Sequence, residues 1–268
     1  MKGCMKIPSV FLLLSLCLLC YGEAKSSMPA SEGSGQSLEL GASYLHLRKS
    51  FLDFPIVWTS TMPVVSARYE ATTGRFHHRV GLDYARSTYI NINGSRRWGH
   101  DSFSILGFGY DLIWCKLPVE ERHRLGWGLG VSLENREITQ RTEMAPGQYS
   151  KQTDHYFGVG PDAEFLWKLD QGKLRFRLSS LVSVPRASFG ILQSDAGFTE
   201  RSYLWWFNLR TDASYRNRIL AGCDLLIRLS REVLVYGRTW RTTPDIDMFY
   251  SGGSMVFRSL EVSLNYSF

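Results

Sequence analysis

The sequence predicts an all-β protein: a single antiparallel up-and-down β-barrel that crosses a membrane with about ten strands, twelve being the alternative. Three observations carry that prediction. From Leu38 to Phe268 apolar residues recur at every second position, and almost no stretch places them at i, i+3, i+4 and i+7 as a helix would. The alternating segments run for about ten to thirteen residues, whereas sandwich strands usually run for about five or six and a tilted membrane strand needs roughly nine to eleven. Short connections alternate with long ones, as in a barrel with tight turns at one rim and larger loops at the other.

The chain opens with Lys2 and Lys6, an apolar run from Val10 to about Cys20, and then Gly22-Glu23-Ala24. This order has the form of a secretory signal peptide over residues 1–24. A spanning helix would need about 20 apolar residues, and this run is roughly a dozen. Residues 25–37, rich in Ser, Gly, Pro and Ala, read as a flexible lead-in, and residues 38–268 as the barrel. Strands are expected near 37–48, 62–73, 75–88, 101–115, 123–138, 152–169, 172–186, 203–230, 232–243 and 253–268. The last is the clearest, with Leu260, Val262, Leu264, Tyr266 and Phe268 alternating with Ser259, Glu261, Ser263, Asn265 and Ser267. Short turns fall at Thr73-Gly74, Lys116 to Arg122, Asp170-Gln171-Gly172 and Arg231. Long loops fall at Lys49 to Thr61, Thr88 to His100, Ile138 to Lys151, Ala187 to Ser202 and Thr243 to Gly252. This parity brings both termini to the rim of the short turns. Ser202 to Ser230 is long for one span: a turn within Tyr215 to Arg218 would give twelve strands, and otherwise the wall extends outward beyond the membrane.

Aromatic residues sit toward the strand ends, as Tyr44, Tyr84, Trp114, Trp127, Trp167, Trp240, Tyr266 and Phe268 do, which suits two interfacial girdles. The mean hydropathy of −0.15 fits a wall in which every second residue meets lipid. The net charge of +6 is spread along the chain and interleaved with acids. It forms no stripe for nucleic acid and suits anionic lipid headgroups. Cys4, Cys17 and Cys20 lie in the leader, leaving Cys115 and Cys223 as two expected free thiols on opposite sides of the wall.

The ending Leu260-x-Val262-x-Leu264-x-Tyr266-x-Phe268 resembles the C-terminal assembly signal of bacterial outer-membrane β-barrels. The resemblance covers the two ends and the general pattern of the middle. It implies a place in the bacterial outer membrane among outer-membrane lipids, both termini in the periplasm, and recognition of Leu264, Tyr266 and Phe268 by the barrel-assembly machinery.

With the apolar face on lipid, the opposite face lines the lumen with Arg68, Glu70, Arg79, Asp83, Asp111, Glu134, Asp162, Glu164, Arg175, Arg177, Asp224, Arg228 and Glu261. Unpaired charges in so narrow a space would each cost several kcal/mol, so opposite signs are expected to pair into a network that fills the barrel. Open-channel porins need about sixteen strands, so a wide pore is not expected. Inward glycines at 107, 109, 126, 128, 130, 158, 160 and 222 leave space for large neighbours or for a ligand.

Candidate chemistry is sparse. His100 and Ser102 are two apart on an expected strand and so share a face, where a histidine can serve a hydroxyl nucleophile as general base. This His-x-Ser spacing resembles that of outer-membrane lipid A deacylases, without an orienting carboxylate nearby in sequence. Asp245 with Asp247, and Asp154 with His155, partly resemble the acid pair and Asp/His pair of outer-membrane aspartyl-type proteases, but read as solvated loop charges. His77 and His78 point to opposite faces and cannot share a metal. No cofactor, metal or nucleic-acid partner is called for. The expected function is structural or surface-binding through the outer loops, more in keeping with no catalysis than with an enzyme. The alternatives are a hydrolase of lipid A or peptides at the outer rim, and a narrow channel or small-ligand transporter. The surface ligand is left unnamed.

Overall fold

The computed structural model describes residues 34–52, 55–98, 101–116, 125–145, 147–195, 197, 199–243 and 246–268. They form thirteen strands: β1 (Ser34–Phe51), β2 (Val57–Thr73), β3 (Phe76–Arg86), β4 (Tyr89–Ile92), β5 (Ser95–Trp98), β6 (Ser102–Lys116), β7 (Leu125–Ala145), β8 (Gln148–Leu169), β9 (Gly172–Ser183), β10 (Phe189–Ser194), β11 (Thr199–Leu220), β12 (Cys223–Thr243) and β13 (Ile246–Ser267). The described ladders are antiparallel, and the ring closes where β1 pairs with both β13 and β2. β9 and β10 occupy one position between β8 and β11, and β4 and β5 form a hairpin beside β2. The closed wall therefore has ten positions, and the twelve-stranded alternative falls away.

Alternation decides which face of each strand meets what. On β7, Leu125, Trp127, Leu129, Val131 and Leu133 are 38 to 66% exposed on the outside, while Ser132 and Arg136 are buried inside. Burying such side chains is worth about 1.5–3 kcal/mol each, so an outward belt of them is stable only against an apolar medium. Of the expected girdle aromatics, Tyr44, Tyr84, Trp114, Trp127, Trp167, Tyr266 and Phe268 are exposed on this surface, and the side chain of Trp240 lies outside the described residues.

The short-turn rim follows turn chemistry. Gly74 takes φ +59° between β2 and β3, a left-handed conformation that a Cβ would strain. The turn expected at Arg231 is instead at Ala221-Gly222, where Gly222 takes φ +75°. Gly222 is thus a turn residue and not an inward one, and Tyr215 to Arg218 continue β11 in register with β12. The expected turn at Lys116 to Arg122 falls mostly outside the described residues.

At the opposite rim the expected long loops are largely strand. β7 runs to Ala145 and β8 begins at Gln148, around a turn containing Gly147 at φ +77°. β10 lies within 187–202 and β13 starts at Ile246. The region 88–100 contains the β4–β5 hairpin, whose Asn93 (φ 47°) and Gly94 (φ 89°) form the Asn-Gly turn its sequence already spells. The sequence reading missed these segments because hydrophobic contrast weakens there: Asn135, Glu137, Thr139 and Arg141 face water outside, while Gln140 and Thr142 are buried inside. A ladder needs only backbone partners, so the wall continues where the hydrophobic signal stops. In β8, Pro161 lacks an N–H, and the β8–β9 ladder is interrupted between Val159 and Asp162.

Candidate functional site

The lumen is the candidate site, and it has two levels. Nearest the short turns lies a charged belt to which every wall position contributes. Glu70 on β2 accepts hydrogen bonds from Arg79 Nε at 2.8 Å and from Arg175 Nη1 at 3.0 Å. β2 and β9 stand on opposite sides of the ten-position ring, so the Arg175–Glu70 pair spans the full width of the lumen. Arg79 also donates to Glu164 at 3.1 Å and lies 3.6 Å from Asp111. Arg177 binds Asp162 and Asp111, each at 2.6 Å, and donates to Ser132 at 3.0 Å.

A second cluster holds Arg68 and Arg228 between Glu39 and Glu261. Arg68 pairs with Glu39 at 3.0 Å, with Asp83 at 3.2 Å and closely with Glu261, while Arg228 reaches both glutamates at 3.0 Å. Higher up, Arg136 bridges to Glu232 and Glu134, each at 2.5 Å; Asn208 donates to Glu232 at 2.8 Å, and Arg210 holds Asp212 at 3.0 Å. Such pairs persist in a narrow interior because each charge has charged hydrogen-bond partners, which offset the loss of water.

Above the belt the lumen turns apolar. Leu47, Met62, Ile90, Phe103, Ile138, Tyr156, Leu204, Trp206, Leu234, Tyr236, Met255 and Phe257 form one buried cluster that closes the interior from side to side. Tyr156 and Trp206 meet edge to face with centroids 5.8 Å apart. The indole N–H of Trp206 donates to Ser188 at 3.0 Å. Gly158 leaves the space that the Trp206 ring fills, since an added Cβ would fall on that ring. Ile90 comes from the β4–β5 hairpin, which thereby packs into the upper lumen. Polar groups also sit within this level: Arg238 donates to Asp154 at 2.6 Å, and Lys49 donates to Gln140 at 3.1 Å while its ammonium lies 5.1 Å from the Phe51 ring and 5.4 Å from that of Trp58.

Of the residues singled out in the sequence, twelve lumen charges appear in the ion pairs just given, and the thirteenth, Asp224, lies toward the short-turn rim opposite Arg218 and Asn265. Sequence reasoning missed Glu39, Lys49, Arg136, Asp154, Arg210, Asp212, Glu232 and Arg238. Glu39 was within reach, because it alternates with Leu38 and Leu40 in the first expected strand. Asp154 is a correction: it is 2% exposed and salt-bridged to Arg238, not a solvated loop charge. The apolar upper lumen is a second correction to an interior expected to be polar throughout.

His100, Asp245 and the side chain of Asp247 lie outside the described residues. Ser102 opens β6 opposite Arg141, on the same outward side as Leu106 and Phe108, while its neighbours Asp101 and Phe103 are buried inside. His77 faces inward, 3.6 Å from Glu70, and His78 faces outward to the Tyr110 hydroxyl at 3.0 Å. Cys223 is a free, half-buried thiol, and the side chain of Cys115 is outside the described residues. Among the described residues no group of three or more His, Cys, Asp or Glu is placed to hold a metal ion. The lumen holds a cavity of about 130 Å³ between belt and apolar level and another of about 320 Å³ at the short-turn mouth, where Lys173, Arg175 and Arg216 converge.

A closed ten-position barrel, apolar outside and filled with charges and rings inside, has the architecture of a transmembrane β-barrel. Two of the solved structures similar to it are the following. The outer membrane protease OmpT from Escherichia coli has a TM-score of 0.55 at 9% identity, covering 92% of this chain and 100% of that one. The translocator domain of the autotransporter NalP from Neisseria meningitidis has a TM-score of 0.42 at 9% identity, covering 95% and 94%. No family model and no curated protein sequence matches the chain.

Proposed function

We propose that this chain is a non-catalytic barrel of the bacterial outer membrane that acts through its outer surface, as a structural element or as a support for loops that bind a surface partner. The observation that carries this reading is the double closure of the lumen: ion pairs that reach across the barrel below, and a packed apolar level above. A residence in the outer membrane also makes Leu264, Tyr266 and Phe268, all exposed on the outward face, the surface offered to the barrel-assembly machinery. Planar-bilayer recording of the folded protein tests the closure. The expected result is no stepwise conductance; stable steps would overturn the reading in favour of a narrow channel.

A further inference from the structure

Where the outward apolar belt ends on β13, two arginines and a histidine stand side by side on adjacent strands, while on β12 apolar side chains continue above them to Val235. Arg231 on β12 is directly opposite Arg258 on β13, which is directly opposite His46 on β1. All three are exposed, and β12 and β1 place Leu229 and Tyr44 immediately below them, 58% and 71% exposed. Directly opposed strand residues have Cβ atoms about 5 Å apart, and like charges there repel. The other strand charges do not relieve this repulsion. Among the residues of these three strands whose side chains are described, the carboxylates are Glu39, Asp224, Glu232 and Glu261, all on the inward face. Neither Arg231 nor Arg258 has an ion-pair partner among the described residues.

Their height identifies what covers them. Arg258 is ten positions above Phe268 on β13. At about 3.3 Å per residue and a tilt near 40°, that is roughly 25 Å, the height of the outward apolar band in such barrels. The arginines therefore sit at the headgroup level of the leaflet away from the short turns, with lipid chains against Leu229, Leu260 and Val262 beneath. We propose that Arg231 and Arg258, with His46 at the edge, form a binding site for the phosphate-bearing headgroup of a lipid in that leaflet. Two guanidinium forks converging on one phosphate turn the cross-strand repulsion into shared attraction. The site rests on the membrane placement above and is independent of whether the lumen conducts.

The test is lipid selectivity at the protein surface, with spin-labelled phosphatidic acid and phosphatidylcholine competing for the folded protein in phosphatidylcholine vesicles. The wild type is expected to prefer phosphatidic acid, and the double variant Arg231→Gln/Arg258→Gln to lose roughly tenfold of that preference. Arg141→Gln, on the opposite side of the wall, is expected to leave it unchanged. Heat-modifiable gel migration checks that each variant is folded, and raising salt on the wild type provides a test without mutation, since the preference must weaken. An unchanged preference in the double variant, an equal loss in Arg141→Gln, or indifference to salt would each overturn the site. A conducting lumen would leave all of these outcomes untouched.

Discussion

The lower and upper halves of the barrel solve opposite problems with the same strands. Along β7 the outward positions are apolar from Leu125 to Leu133 and the inward ones polar, including Ser132, Glu134 and Arg136. A few residues further on the phase reverses: Asn135, Glu137 and Thr139 face out while Ile138 is buried inside. β13 shows the same exchange, from outward Leu260 and Val262 to inward Phe257 and Met255. Below the crossover the solvent is lipid, so polarity is driven inward and must neutralise itself. Above it the solvent is water, and the lumen becomes the hydrophobic core of an ordinary soluble barrel. On these two strands the inside takes the character that the outside lacks at that height, whereas on β11 Trp205 and Phe207 stay exposed outside beside buried Leu204 and Trp206.

This comparison can be broken most forcefully in the lower half. Arg79→Met strands Glu70, Glu164 and Asp111 beside one lost guanidinium, and is expected to cost about 3–5 kcal/mol in urea unfolding from lipid vesicles. In the upper half, Phe103→Ala removes a fully buried ring and is expected to cost about 3 kcal/mol, read from the same titration. Gly158→Ala pushes a methyl group into the Trp206 ring; overpacking of this kind costs about 1–3 kcal/mol, and the indole emission of the folded protein should shift with it. The smallest effect sharpens the contrast. Replacing Arg136, Glu134, Glu232 and Asn208 together by apolar residues of similar volume extends the apolar level downward by one rung, with a stability change expected within about 1 kcal/mol of wild type. A large loss there would show that the two levels are not interchangeable at their boundary.

Arg231 is where local pattern and fold disagree. An outward position in a membrane strand is expected to be apolar, so a charged residue there reads as a turn. In the structure it is a regular member of β12, and the real turn is Ala221-Gly222, hidden inside a largely apolar stretch from Ile219 to Leu226.

By itself the sequence determined the fold class, about ten strands, the turns at Thr73-Gly74 and Asp170-Gln171-Gly172 and most of the inward charges. All of these follow from one local rule, that neighbouring residues of a strand point to opposite sides. Only the tertiary structure decided which charges meet, because Arg175 and Glu70 are joined across the barrel by ring closure and not by proximity in the chain. It also decided that the wall continues above the membrane with its phase reversed, since backbone pairing holds strands together where side-chain hydrophobicity no longer marks them.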